Sequence, residues 1–431
     1  MSRIHICIIG LLAALICAGQ VTITEYPIPS GSGALWITTG PDGNLWFTEP
    51  NANAIGRITP AGVVTEFPAG SGPTGITAGP DGNLWFTEES GSAIGKMTTA
   101  GVVLAEYPTS YFPCCITAGP DGNLWFTEIF TSRVGRITPS GVITEFGPTI
   151  SSYPAGITAG PDGNLWFTEE GFRPDLGSGA GASIGKITAA GVITEFPVTV
   201  GAVPYLIAVG PDGNLWFTEA SGNNIGRITP AGVVTEFPIP TSGSYPIGIS
   251  GGPDGNVWFV EPAAGNKIGR ITPTGVITEF LTPTSGSVPY GITAGPDGNL
   301  WFTENAGKIG KVTIGPRYSV CLLYDPTKAV KSGATIPIKL ELCDGSGNNL
   351  SSSSITLQSI NITRISTSIS GAVEDAGNSN PDNNFRFDST LGGTGGYIFN
   401  LKTTGLTTGT YSIDFTVTGD SSVYAATFQV K

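Results

Sequence analysis

The sequence predicts an all-β protein, a seven-bladed β-propeller closed by an N-terminal strand and followed by a small β-sandwich. Three observations carry this. A ten-residue phrase recurs seven times, each copy sits in a unit with the chemistry of four short strands, and the repeat stops near Pro316 where the composition changes.

The phrase reads GPDGNLWFTE at 40–49, 79–88, 119–128, 160–169, 210–219 and 295–304, and GPDGNVWFVE at 252–261. Its period of roughly forty residues is that of a four-stranded propeller blade. In the second unit, apolar Gly75-Ile76-Thr77-Ala78 runs into Gly79-Pro80-Asp81-Gly82, a type I turn closed by a left-handed Gly. Leu84-Trp85-Phe86-Thr87 follows with strand-forming aromatics, then Ile94-Gly95-Lys96-Met97, then a turn at Gly101. The fourth strand is of the Val64-Thr65-Glu66-Phe67 type, but the seventh unit stops at Lys311-Val312-Thr313 without one. Thr22-Ile23-Thr24-Glu25-Tyr26 is therefore expected to complete the seventh blade and remove two open sheet edges.

Arg3 and the apolar run Ile4–Ala18 read as a secretory signal peptide over residues 1–19, with Cys17 as an alternative lipidation point. Residues 20–316 are assigned to the propeller and 317–431 to an Ig-like sandwich. The product is expected to be secreted, extracellular or periplasmic, and monomeric. Processing would remove His5, the only histidine, which excludes a Ser-His-Asp triad, a Cys-His pair and His-ligated zinc. A net charge of −13 argues against nucleic acid and anionic membrane, and no stretch of the mature chain is long and apolar enough for a membrane span. The expected partner is a small molecule, peptide or glycan at the propeller mouth.

Each repeat ends in Glu: Glu49, Glu88, Glu128, Glu169, Glu219, Glu261 and Glu304. Near one rim these would bind Mg²⁺ or Ca²⁺, or raise one another's pKa; the competing expectation is a cross-strand ion pair with the repeated Arg or Lys, as between Glu49 and Arg57. The turn Asp residues are expected to cap their turns and the repeated Trp to fill the space between blades. The residue after the Pro that opens each inner strand varies, giving Thr74, Cys114, Ala155, Tyr205, Ile247 and Tyr290, with Leu35 in the first unit. Thr74, Cys114, Tyr205, Ile247 and Tyr290 are candidate ligand contacts, joined by Phe172 and Arg173 of the longer unit-four loop, which also carries Asp175. Cys114 and Cys115 are expected as two thiols or one strained bridge without a redox role, because adjacent strand residues face opposite ways.

After Pro316, Thr335–Leu342 and Tyr411–Val417 alternate as half-buried strands do. Cys321 and Cys343 are candidates for a disulfide, with free thiols as the alternative. Asp375, Asn378, Asn380 and Asp382 form an oxygen-rich candidate calcium loop.

GPDGNLWFTE followed by IGRITP-x-G-x-x-TEF resembles the streptogramin B lyase (virginiamycin B lyase) family of seven-bladed propellers over about residues 21–313. The resemblance implies ring opening of a cyclic depsipeptide by elimination at its ester, with Mg²⁺ and a histidine base. In the family those histidines follow Pro at the start of inner strands in the last two blades, the final one in a Glu-Pro-His phrase. Here the places read Tyr245-Pro246-Ile247 and Val288-Pro289-Tyr290. Glu304 alone matches the family's acidic position. The tail is similar to bacterial Ig-like PxKF-type domains through Asp325-Pro326-Thr327-Lys328 and Ser332–Lys339. Two functions follow as expectations. One is a ligand-binding or surface-interaction protein without catalysis, because the histidines are missing. The other is a carbon–oxygen lyase or related metal-dependent enzyme, with Glu304, Tyr290 and Tyr205 as candidate catalytic residues and Glu304 as candidate metal ligand.

Overall fold

The computed structural model describes residues 21–147, 153–171, 181–315, 318–343, 348–365, 369–371, 384–418 and 420–431. These are almost wholly β-strand, with three short 3₁₀ turns and no α-helix among them, so none contains a helix able to cross a membrane. The chain divides into two compact units, one of them Ile23–Thr313 and the other built mainly from Ile314–Lys431. The leader lies outside the described residues, as do Phe172, Arg173, Asp175, Asp375, Asn378, Asn380 and Asp382.

The larger unit holds seven four-stranded antiparallel sheets. Sheet two shows the pattern, with strands Pro73–Ala78, Leu84–Glu88, Ala93–Met97 and Val103–Pro108 paired in chain order. Six sheets are built this way. In the seventh, Pro289–Ala294, Leu300–Glu304 and Lys308–Ile314 are joined by Val21–Pro27 as the fourth strand. The first strand of each sheet packs against the first strand of the next, and that of sheet seven packs against that of sheet one.

The repeated phrase explains this regularity. All seven tryptophans of the phrase are fully buried, and each indole N–H donates to the turn Asp four residues earlier, as from Trp85 to Asp81 at 3.0 Å. The same Asp oxygen accepts the amide of the following Asn, so it caps the turn and anchors the core together. A Cβ on Gly79 would enter the Trp85 ring and one on Gly95 would enter the Phe86 ring. Those two glycines are fixed by close approach rather than by turn conformation.

The repeated cations do not pair with the repeated glutamates as the sequence suggested. Antiparallel register sets Glu49 opposite Ala54 and Arg57 opposite Trp46. The cation thus lies at the turn end, 5.6 Å from the Trp46 ring centroid. In five sheets it reaches the turn Asp, closest between Lys96 and Asp81 at 2.7 Å.

The smaller unit has two four-stranded antiparallel sheets sharing one apolar core. Thr335–Cys343 contributes Ile336, Ile338, Leu340 and Leu342 from alternate positions, and Gly409–Val417 contributes Ile413, Phe415 and Val417. Cys321 and Cys343 are bonded, with Cα atoms 6.1 Å apart.

Candidate functional site

The first strands begin at one end of the ring of sheets, here the mouth. In five sheets that strand opens with Pro paired to the repeated Glu, as Pro73 with Glu88, and its register shifts within the next three residues. The bulge breaks strand alternation at the variable position. Just before that Pro, Phe112, Tyr153, Val203, Tyr245 and Val288 all adopt positive φ between 34° and 62°, as does Gly72. A left-handed backbone is costly for such side chains, Val203 and Val288 above all.

A chain of threonines fixes the backbone of the variable residues while leaving their side chains free to differ. Thr168 Oγ1 accepts the Gly156 amide at 2.9 Å and donates to the Tyr205 carbonyl of the next sheet at 2.7 Å. Thr87 reaches the Cys114 carbonyl in the same way, Thr127 that of Ala155, Thr218 that of Ile247 and Thr303 that of Leu35. Sheet six carries Val260 at this place, which can neither accept nor donate.

Of the variable residues, Thr74, Cys114, Ala155 and Ile247 are buried, while Tyr205 and Tyr290 are half-buried. The two phenols meet across the intervening sheet, Oη to Oη 2.9 Å, where the shorter Ile247 leaves room between them. Trp36 packs edge-on against Tyr290 with centroids 5.1 Å apart. Burial, only partly offset by the hydrogen bond from Tyr205, pushes the Tyr290 phenol up to about 12, and burial with neighbouring groups holds Tyr205 well above its ordinary value, so both stay neutral. One hydroxyl hydrogen is used within the pair and the other is left to donate.

Glu304 is fully buried, with Ser287, Glu25 and Lys308 the polar groups whose influence reaches its carboxyl, whereas Tyr290 meets Tyr205. The repeated glutamates share this design. Glu49 faces Glu66, Glu219 faces Glu236 and Glu261 faces Glu279. Desolvation and the second carboxylate raise Glu49 and Glu261 to about 8, and Glu88, Glu219 and Glu304 to about 7. Among the described residues no three His, Cys, Asp or Glu side chains converge as a ligand set. Lys308 lies across the strand pair from Glu304, and its Nζ bonds Glu25 at 2.7 Å.

Two other acids belong to the mouth. Glu89 and Glu170 follow the repeated Glu directly, and both fields reach Cys114, that of Glu89 reaching Tyr290 as well. Burial alone raises Glu170 to about 7. The sequence hid them because they read as an extension of the repeat; the signal was that the residue after the phrase is Glu in only two units. On the same rim, Tyr111, Phe112, Phe130 and Tyr153 form a run of edge-on rings, with Phe130 54% and Tyr111 46% exposed.

Seven like four-stranded sheets in a closed cycle of contacts, with varied side chains at one end, define an all-β repeat scaffold. Residues 10–174 and 108–329 match the virginiamycin B lyase family, and the chain belongs to that family. A streptogramin B lyase structure is 38% identical with a TM-score of 0.63, covering 68% of this chain and 98% of that one. A catalytically inactive His-to-Ala virginiamycin B lyase from Staphylococcus aureus with quinupristin is likewise 38% identical with a TM-score of 0.63, covering 68% and 99%. Virginiamycin B lyase of Bordetella parapertussis is 47% identical over 49 residues, 11% of this chain and 16% of that protein's length.

Proposed function

We propose that residues 20–316 form a closed seven-bladed β-propeller whose mouth acts on a cyclic depsipeptide of the type B streptogramin class as a carbon–oxygen lyase. Residues 317–431 are its appended Ig-like sandwich. Seven sheets in a closed cycle of contacts and family membership support the propeller and the reaction class.

The observation that carries the catalytic reading is Glu170, a half-buried carboxyl at the mouth raised to about 7 by desolvation. Elimination removes a proton from carbon next to a carbonyl, forms a C=C bond and expels the ester as a carboxylate. A base with a pKa near neutral is suited to that first transfer. The free hydroxyl hydrogen of the Tyr205–Tyr290 pair would donate to the carbonyl as charge develops on it. Glu170 thus takes the role that histidine has in the family, and no step runs through a metal.

The test is incubation of the mature protein with a type B streptogramin. Elimination leaves the mass unchanged, so ring opening is read from retention and fragmentation, and hydrolysis would instead add one water. Ring opening that is lost in Glu170→Gln and kept in Glu304→Gln supports the reading. Intact antibiotic at stoichiometric protein overturns the lyase. If the antibiotic still binds, the mouth is a non-catalytic receptor, as the missing histidines suggest.

A further inference from the structure

We propose that Cys114 and Cys115 form a vicinal dithiol–disulfide pair, a two-electron redox site set into the wall of the mouth. Adjacent residues on a regular strand point to opposite faces. Here the strand Pro113–Ala118 shifts register between Pro113 and Ile116, and the two Sγ atoms lie 3.3 Å apart.

The peptide unit joining them is held at both ends. Its carbonyl accepts from Thr87 Oγ1 at 2.6 Å and its N–H donates to Thr127 Oγ1 at 3.4 Å. Two neighbouring sheets therefore hold the bulge that brings the thiols together. The preceding Phe112 stands at φ 34°, further sign of a backbone constrained at this point.

The surroundings suit a neutral disulfide better than a thiolate. Both cysteines are buried, with 9% and 8% of their surface exposed, and they pack with Trp125, Val134, Ile157 and Phe167. Contact with Cys115, then burial, pushes the Cys114 thiol well above its ordinary range. The charges that reach Cys114 are those of Cys115, Glu89 and Glu170, all of which disfavour a thiolate. The same position feels Tyr205 and Tyr290, so closing the pair reshapes the wall beside the phenols.

The oxidant is a low-molecular-weight disulfide. One cysteine, as its thiolate, attacks a sulfur of the oxidant and forms a mixed disulfide, expelling one thiol. The second cysteine sulfur then attacks the first, the vicinal S–S bond forms and the second thiol leaves. Two cysteine protons and two electrons pass to the oxidant, which becomes two thiols.

The experiment treats the folded mature protein with oxidised glutathione, denatures it in alkylating reagent without reductant, and maps peptides by mass. An unchanged melting curve before denaturation shows that the fold was kept. The expected result is a peptide with both cysteines unalkylated and about 2 Da lighter than the dithiol. Prior reduction should restore two alkylations at these residues. The Cys115→Ser variant should stop at a single glutathione adduct or remain unmodified. Two alkylated cysteines in the treated wild type, or one persistent glutathione adduct, overturns the proposal.

Discussion

Thr168 Oγ1 donates to the Tyr205 carbonyl at 2.7 Å while accepting the Gly156 amide at 2.9 Å, so a single hydroxyl ties two sheets together behind the mouth. The phrase conserves the spot from unit to unit except in sheet six, where Val260 interrupts it.

Filling that gap should stabilise the protein. In Val260→Thr the hydroxyl can take the Gly248 amide and reach the Tyr290 carbonyl, two hydrogen bonds at a buried site worth about 1 kcal/mol net. For a unit of this size we expect a melting temperature higher by about 2 °C. The reverse change, Thr168→Val, should cost about 1–3 kcal/mol, because it orphans a buried amide and a buried carbonyl. A Val260→Thr protein that melts lower than wild type would show that the ring has no missing link.

Stability should also depend on pH in a way set by the paired glutamates. Their folded pKa values, about 7 to 8 for Glu49, Glu88, Glu219, Glu261 and Glu304, lie above the ordinary value of 4.5. Between these values the folded chain holds more protons than the unfolded one, so stability falls as pH rises. The contribution is complete below the unfolded pKa and lost once pH passes the folded ones. The turn aspartates act oppositely. Burial disfavours their charge, but hydrogen bonds from Trp, Asn and, at Asp81, Lys96 outweigh it and hold them low, Asp81 at about 2. They lose their contribution in acid. Thermal melts should therefore peak near about pH 5 and decline towards about pH 8. Glu261→Gln and Glu304→Gln should flatten that decline. A melting temperature that rises steadily from pH 5 to 8 would contradict the assignment.

Much of this fold was legible because the repeat states its own chemistry. The turn residues, the buried Trp and the N-terminal strand in sheet seven all follow from residue type and spacing. The site was less legible, for physical reasons. Register decided that Arg57 meets Trp46 rather than Glu49, and register cannot be read from spacing within one strand. Of the residues after Pro that were expected to face a ligand, Thr74, Cys114 and Ile247 are buried and Tyr205 and Tyr290 half-buried. The exposed aromatics stand before that Pro or in the loops, at Tyr111, Phe130 and Tyr245, with Phe112 and Tyr153 half-buried beside them. Glu304 looked singular only through family likeness; in the structure it is one of seven buried repeats.

The aromatic rim gives a test that separates binding from folding. Phe130 is 54% exposed and touches Phe112 and Tyr153 edge-on. Phe130→Ala should change stability by no more than about 0.5 kcal/mol, as for most surface positions. If the rim receives an apolar ligand face, losing the ring should weaken streptogramin binding by about 1–2 kcal/mol, in the range of a useful aromatic contact. Calorimetric titration of the variant and wild type reads this directly. Equal affinities would remove the rim from the binding surface.

The N-terminal strand offers the sharpest test of how the ring is closed. Val21–Pro27 is the fourth strand of sheet seven, beside Lys308–Ile314. Glu25 accepts from Lys308 at 2.7 Å and from the Thr284 amide at 2.9 Å, and Tyr26 stacks on Trp301 with centroids 5.6 Å apart. Deleting residues 21–29 removes all of these at once. It bares one face of Trp301, leaves Lys308 beside Glu304 without its partner, and exposes a row of unpaired backbone groups along Lys308–Ile314. An exposed edge of that kind recruits other chains. We expect a melting temperature lower by about 10 °C or more, since several contacts of about 1 kcal/mol each are lost together. We also expect concentration-dependent association in sedimentation. Adding back a peptide of residues 21–29 should reverse both effects by restoring the strand in trans. A deletion variant that melts like the parent and stays monomeric would mean that the three remaining strands of sheet seven suffice, and that this strand does not hold the ring closed.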